Sequence, residues 1–179
     1  MTDRPNDIHA PAIAPYGAWT SPFTSEFLVA SAVRLGGPTA IGADLYWTEG
    51  RPTEGGRQVI VRRTPDGVTA DVTPSPFNAR TRVHEYGGGA AILDVDGTIY
   101  APSFEDQKLY RVRPGEEPEP VTHTEGMRYA DGIVDAARQR LICVREGHTG
   151  DGEAVNTIAA INLATGDETV LIEGHDFFA

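Results

Sequence analysis

Short apolar stretches rich in β-branched and aromatic residues follow one another through most of the chain. They read DLYWT (44–48), QVIVR (58–62), TIYA (98–101), KLYRV (108–112), RLICV (140–144), TIAAI (157–161) and ETVLI (168–172). Stretches of this length and composition predict β-strands. Turn-forming residues separate them at Pro65-Asp66-Gly67, Asp96-Gly97, Pro114-Gly115 and Thr165-Gly166-Asp167. Because no helix-length amphipathic segment interrupts this series, the sequence predicts an all-β fold.

A repeat of 49 residues underlies the series of strands. The pairs Val72-Thr73, Val121-Thr122 and Val170-Leu171 recur at this interval. Four strands in about 40–50 residues is the spacing of a β-propeller blade. The sequence therefore predicts a partial β-propeller of about three four-stranded blades. These blades are expected at residues 38–74, 87–124 and 129–173, with a fourth beginning at 175.

The ends of the chain predict two further features. Residues 1–37 are expected to form a loose N-terminal arm with a short helix or strand, a helix being capped by Thr24 or Ser25. At the other end, three blades are fewer than the 4–8 that close a propeller. We therefore expect the chain to be a fragment of a longer protein. The isolated chain should self-associate through its uncovered sheet faces and edges or be only marginally stable.

Charge and composition exclude several classes of protein. The formal net charge is -11, from 15 basic and 26 acidic residues, and such a surface repels nucleic acid. No apolar stretch has the length of a signal peptide or a membrane span, so we expect no membrane partner and a cytoplasmic location. Cys143 is the single cysteine, and its apolar neighbours predict a buried structural thiol.

The string RTRVHEYGGGA (80–90) sets charged and aromatic residues against three glycines. The glycines allow two interpretations, a place where backbones approach too closely for side chains and a ligand cradle; the first is favoured. An extended backbone would place Arg80, Arg82, His84 and Tyr86 on one side and Glu85 on the other. These five residues either form a charged rim that binds a ligand or docks a partner, or lock the crossing through an arginine–glutamate salt bridge.

Other patterns carry no recognisable chemistry. Asp94-Val95-Asp96-Gly97 lacks the further ligands of a calcium loop and predicts a hairpin turn. Residues 146–153 predict a solvated acidic loop, and the scattered histidines have no metal-ligand spacing. We therefore expect neither a metal nor a cofactor. None of the serines lies in a Gly-Xaa-Ser-Xaa-Gly nucleophile elbow, so the chain alone should lack serine hydrolase activity.

Several strings resemble the propeller of the prolyl oligopeptidase family, in particular its bacterial dipeptidyl aminopeptidase/acylaminoacyl peptidase group. They are YGAWTSP (16–22), LYWTEGRP (45–52), EGGR (54–57), RTRVHEYGGG (80–89) and RLICVRE (140–146). In that family a propeller precedes a C-terminal α/β-hydrolase domain that carries the catalytic serine, aspartate and histidine. The resemblance implies that a parent protein cleaves short peptides and that this chain contributes substrate gating or domain docking. Arg80, Arg82, His84, Glu85 and Tyr86 are the candidate residues for that role.

Two other interpretations stay open. A stand-alone β-propeller-like module could bind a protein partner through its open edges without any catalysis. A sugar-lactone hydrolase propeller would need several carboxylates around a metal in the channel. The acidic residues lie mainly in predicted turns, which disfavours the lactonase. The reading frame after Ala179 distinguishes the peptidase from the module.

Overall fold

The structure is a computed structural model of the 179-residue chain. It describes residues 13–18, 21, 23–25, 27, 32–150 and 152–178, in two compact units, Met1–Ala30 and Ser31–Ala179. In the first unit, the Thr24 hydroxyl accepts a hydrogen bond from the Phe27 N–H at 3.0 Å, as an N-cap residue does. Much of the predicted arm and helix lies outside the described residues.

The second unit consists of three antiparallel four-stranded sheets, which confirms the predicted partial propeller. Blade one contains β1 (Arg34–Ile41), β2 (Asp44–Arg51), β3 (Arg57–Arg63) and β4 (Thr69–Asp71). Blade two contains β5 (Ile92–Leu93), β6 (Ile99–Pro102), β7 (Leu109–Val112) and β8 (Glu119–Pro120). Blade three contains β9 (Met127–Asp135), β10 (Arg140–Gly147), β11 (Val155–Asn162) and β12 (Glu168–Glu173). Within each blade every strand pairs with the next one along the chain, so each blade is an antiparallel meander.

Each of the four predicted turns connects two consecutive strands within a blade. Their glycines have positive φ angles, which glycine adopts without the steric cost of a side chain. The values are +90° at Gly67, +84° at Gly97, +81° at Gly115 and +76° at Gly166. Asp94-Val95-Asp96-Gly97 forms the β5–β6 hairpin turn, as predicted.

The hydrophobic core lies between neighbouring blades. Tyr46 and Ile60 of blade one pack in one cluster with Ile99 and Val112 of blade two. A second cluster joins blades two and three, with Tyr100, Leu109, Tyr129, Leu141, Cys143 and Ile161 among its members. Each blade therefore buries apolar surface against its neighbour, which is how repeat architectures stabilise units that cannot fold alone.

Two of the three 49-residue repeats are equivalent in their hydrogen bonds. In blade one the Thr73 hydroxyl accepts the Ile60 N–H at 3.0 Å, and in blade two the Thr122 hydroxyl accepts the Leu109 N–H at 3.0 Å. The pair in blade three differs, because Val170-Leu171 lies inside the longer strand β12, where the pairing with β11 shifts register, and both side chains are exposed. The threonine hydroxyl thus substitutes for a strand partner where β4 and β8 are short.

The last described residues, 175–178, form no ladder with the other described strands; the sequence predicts the start of a fourth inner strand there. Phe178 packs against the cluster formed by Val83, Ala130 and Val144. Phe177 is exposed, and its ring centroid lies 4.8 Å from that of His84. Among the described residues, no helix has the length and apolar character needed to cross a membrane.

Candidate functional site

The segment from Asn78 to Gly89, called here the crossing segment, connects blade one to blade two and also touches blade three. At its start, the Asn78 side chain accepts the Gln58 N–H at 2.9 Å, and Ala79 forms a β-bridge with Ser103. At its end, Asp131 donates its N–H to the Gly89 carbonyl oxygen at 2.9 Å. Strands from all three blades therefore position the predicted site residues.

Two of the three glycines, Gly88 and Gly89, lie where the crossing segment meets β9. A Cβ atom on Gly88 would collide with the Asp131 carboxylate and lie 2.9 Å from the Ala130 Cβ. A Cβ atom on Gly89 would lie 2.7 Å from Asp131 Oδ1. Because the Ala130 Cβ is fixed to the backbone, β9 leaves no room for a side chain at Gly88, whereas the short contact at Gly89 is with the end of the Asp131 side chain. The close-approach interpretation is confirmed at Gly88.

Arg80 and Arg82 both stack on one aromatic ring of blade two. Their guanidinium carbons lie 4.9 Å and 4.8 Å from the centroid of the Phe104 ring, which is cation–π distance. The buried Gln107 holds the backbone between them, because its Oε1 accepts the Arg82 N–H at 2.7 Å. Gln107 Nε2 also donates to the Phe104 carbonyl oxygen at 3.1 Å. Blade two thus anchors the first half of the crossing segment.

The predicted extended alternation holds only as far as Val83. Thr81 and Val83 are buried while Arg80 is exposed, but the chain then turns. His84 and Glu85 have φ angles of 54° and 64°, in the left-handed region. The prediction that Glu85 faces away from His84 and Tyr86 was therefore wrong, because a turn replaces the extended backbone.

The turn is held by a buried carboxylate of blade three. Glu146, on β10, is 2% exposed, and its Oε2 accepts the His84 N–H at 2.6 Å. Its Oε1 accepts a hydrogen bond from Arg128 Nη1 at 3.1 Å and also contacts the His148 ring nitrogen Nε2. Glu146 is therefore not part of a solvated acidic loop, as the sequence predicted, because strand β10 carries it into the protein.

Arg128, on β9, bonds both to this carboxylate and to the crossing segment. Its Nη1 donates to the Arg82 carbonyl oxygen at 2.8 Å and to Glu85 Oε1 at 2.7 Å. This hydrogen bond lowers the pKa of Glu85, so Glu85 is ionised at neutral pH. The predicted salt bridge between Glu85 and an arginine of its own segment is absent from the described residues, and Glu85 pairs with Arg128 of β9 instead.

Three of these groups could also be considered as metal ligands. Glu85, Glu146 and His148 place one ligand atom each within 4.8 Å of one another. Arg128, however, already donates hydrogen bonds to both carboxylates, and it supplies the positive charge that a cation would bring. The arrangement is therefore an ion-pair network, which we call the blade-three network: Glu85, Arg128, Glu146 and His148.

The five predicted site residues differ in accessibility. Tyr86 is 77% exposed, and Arg80 and Glu85 are exposed as well. Arg82 and His84 are half-buried, and their side chains contact Phe104 and Phe177. The structure brings His84 and Tyr86 together, with ring centroids 5.8 Å apart, but directs Arg80 and Arg82 toward blade two.

Sequence reasoning missed three residues of the site: Arg128, Glu146 and His148. One signal could have pointed to Glu146. Strand β10 buries Leu141, Val144 and Glu146, so a charged residue stands at an apolar position of the strand pattern. A carboxylate at such a position needs a partner.

Cys143 is a buried structural thiol, as predicted. It is 2% exposed within the cluster between blades two and three, and burial raises the pKa of its thiol to about 12. We expect no reaction with a disulfide reagent such as DTNB in the folded chain at about pH 8, because the thiolate is the reactive form. Absorbance should show one equivalent of thiol after unfolding in urea. Rapid reaction of the folded chain would contradict this burial.

Catalytic groups of a serine hydrolase are not assembled in this part of the molecule. Among the described side chains, no histidine forms a hydrogen bond with a serine hydroxyl. The geometry instead consists of three propeller blades joined by a charged crossing segment. It is the geometry of a partial β-propeller.

Solved structures of peptidases are similar in fold to this chain. A puromycin-hydrolyzing peptidase of Mycobacterium tuberculosis has 32% sequence identity and a TM-score of 0.80, covering 94% of this chain and 29% of that chain. A puromycin hydrolase has 31% identity and a TM-score of 0.75, covering 91% and 28%. A mutant of puromycin hydrolase complexed with PGG has 32% identity and a TM-score of 0.76, covering 89% and 27%.

The chain thus spans less than a third of the length of these peptidases. No family model and no curated protein sequence matches it. The structural neighbours support the resemblance to the prolyl oligopeptidase family and identify the described sheets as similar to part of a peptidase propeller.

Proposed function

We propose that this chain is the substrate-gating propeller region of a prolyl oligopeptidase family serine peptidase that cleaves short peptides in the cytoplasm. The finer assignment is the dipeptidyl aminopeptidase/acylaminoacyl peptidase type. The observation that carries the proposal is the match to a puromycin-hydrolyzing peptidase over 94% of this chain at 32% identity. The catalytic serine, aspartate and histidine would belong to an α/β-hydrolase domain of the parent protein, on which this propeller docks.

In such a parent the chemistry is acyl transfer through a serine ester, with an oxyanion hole that stabilises the tetrahedral intermediate. The residues of this chain contribute selection and orientation. A packed propeller excludes long or folded polypeptides from the serine, and charged side chains on its rim hold a flexible peptide in one orientation. Such positioning raises the rate because it reduces the entropy lost on reaching the transition state.

The exposed members of the predicted set are the best candidates for contact with a substrate. Glu85 uses Oε1 for the bond with Arg128, and Oε2 accepts no hydrogen bond from another described residue. An ionised carboxylate with a free oxygen suits the ammonium group of a peptide N-terminus. Tyr86 offers an exposed ring beside it, while the Arg82 side chain packs on Phe104 and the His84 ring contacts Phe177.

Two measurements test this proposal: the gene sequence beyond the codon for Ala179, and the activity of the protein that the whole gene encodes. We expect the frame to continue after Ala179 into further blades and a Gly-Xaa-Ser-Xaa-Gly elbow. The encoded protein should hydrolyse aminoacyl p-nitroanilides and puromycin and lose this activity when the elbow serine is replaced by alanine. Residues 1–179 alone should neither hydrolyse these substrates nor react with a fluorophosphonate probe.

Two outcomes would contradict the proposal. A stop codon directly after Ala179 would favour the stand-alone binding module. Stoichiometric fluorophosphonate labelling of a serine within residues 1–179 would show a nucleophile that neither the sequence pattern nor the described geometry contains.

Glu85→Gln in the encoded protein should raise KM for peptides with a free N-terminal ammonium group by at least about tenfold, because a charge-assisted hydrogen bond is lost. N-acetylated peptides should be affected much less. The matched control is Glu125→Gln, another exposed carboxylate with a cationic partner, Lys108. Unchanged kinetics together with a lower melting temperature would assign Glu85 a purely structural role.

A further inference from the structure

Arginines without a carboxylate partner are the exception in this acidic chain. Most described arginines lie within ion-pair distance of an aspartate or glutamate. The described arginines that do not are Arg34, Arg63, Arg80 and Arg82. Two of them, Arg34 and Arg80, line the same cavity of about 350 Å³ on blade one. Their positive charges are therefore available to an anion from outside the chain.

The register of blade one forms this cavity. Arg34 on β1 pairs with Gly50 on β2, which in turn pairs with Gln58 on β3. Because Gly50 has no side chain, the sheet has a trough between the Arg34 and Gln58 side chains. Arg80 of the crossing segment lines the same trough, which we call the blade-one trough.

Among the polar side chains that line the trough, the Thr48 hydroxyl donates a hydrogen bond to the Gly36 carbonyl oxygen at 2.9 Å. The side chains of Arg34, Arg80 and Gln58 form no hydrogen bond with another described residue. Stacking on Phe104 orients the Arg80 guanidinium while leaving its N–H groups available at the edge. Two guanidinium groups and one amide thus surround a cavity at the small end of the range for ligand sites, about 300–1,000 Å³.

We infer that the blade-one trough binds the C-terminal carboxylate of a short peptide. Guanidinium groups match the planar carboxylate with paired hydrogen bonds, and the Gln58 amide can pair with the adjacent peptide group. The net charge of -11 disfavours polyanionic ligands, whereas a single carboxylate adds little repulsion. The peptide class of the ligand rests on the proposed function, but the carboxylate chemistry rests on the trough alone.

Binding to residues 1–179 tests this inference without any catalytic measurement, so a failed peptidase assay does not affect it. We expect N-acetyl-Ala-Ala with a free carboxylate to shift the backbone amide NMR signals of Gly36, Gly50 and Gly56, which line the trough. The C-terminal amide of the same peptide should not shift them. Replacing both arginines, with Arg34→Gln and Arg80→Gln, should weaken binding by at least about tenfold.

Arg63→Gln is the matched control, since it removes another unpaired arginine from the same sheet outside the trough. It should leave the affinity unchanged. Gly50→Val tests the trough independently of the arginines. A Cβ atom at this position would make only ordinary contacts, the nearest with the Arg34 Cβ at 3.5 Å. The added methyl groups would narrow the trough. Equal binding of the amide peptide, equal binding of inorganic phosphate, or full affinity in the folded double-arginine variant would overturn the inference.

Discussion

Gly166→Ala should lower the free energy of unfolding by about 3 kcal/mol, at the upper end of ordinary single substitutions. Gly166 lies in the β11–β12 turn with a φ angle of +76°, and a Cβ atom there would collide with the Val121 carbonyl oxygen of blade two. This oxygen belongs to the backbone and cannot rotate away. The substitution therefore either distorts the turn or separates blade three from blade two. Urea denaturation followed by circular dichroism measures the loss.

Gly115→Ala separates the two causes. Gly115 has a similar φ angle of +81° in the β7–β8 turn, but no atom lies within 4 Å of its Cβ position. Its replacement should lower the free energy of unfolding by about 1 kcal/mol, because alanine is strained in the left-handed conformation. Equal losses in the two variants would show that backbone conformation, and not contact between blades, determines the effect.

Arg128→Met should lower the free energy of unfolding by about 3 kcal/mol, because it leaves the buried Glu146 carboxylate without its arginine partner. Lys108→Met is the control: it removes an ion pair with the exposed Glu125 and should change stability by no more than about 1 kcal/mol. Chemical denaturation of the two variants and the parent sequence measures both changes.

A double-mutant cycle tests the cause of that loss. Glu146→Gln removes the charge and retains an oxygen that can accept the His84 N–H. When Glu146→Gln is combined with Arg128→Met, the loss should be smaller than the sum of the single losses, because no unpaired buried charge is left. Strict additivity would mean that Arg128 stabilises the fold through its packing and its bond to the Arg82 carbonyl oxygen instead.

Most of the fold could be predicted from the sequence because its signals are local. The turns at Gly67, Gly97, Gly115 and Gly166 depend on the conformational freedom of single glycines. The 49-residue repeat likewise corresponds to a bond inside two of the three blades, where a threonine hydroxyl accepts a backbone N–H. A pattern of neighbours along the chain is sufficient for such features.

The candidate site was predicted only in part. The string at residues 80–89 identified the crossing segment, and its glycines indicated the close approach of backbones that β9 imposes. The alternation rule failed after Val83, because it assumes that the backbone stays extended. The Glu146 carboxylate accepts the His84 N–H, and the chain turns there instead.

Only the tertiary structure determined which charges meet. Glu85 and Arg128 are 43 residues apart in the chain, and Arg34 and Arg80 belong to different segments of the molecule. Ion pairs depend on distances of a few ångströms, and composition gives only the number of charges available. The sequence by itself determined strands, turns and the repeat, since these follow from backbone preferences and side-chain periodicity. The packing of three blades around the crossing segment decided that Arg128 is paired while Arg34 and Arg80 are left available to a ligand.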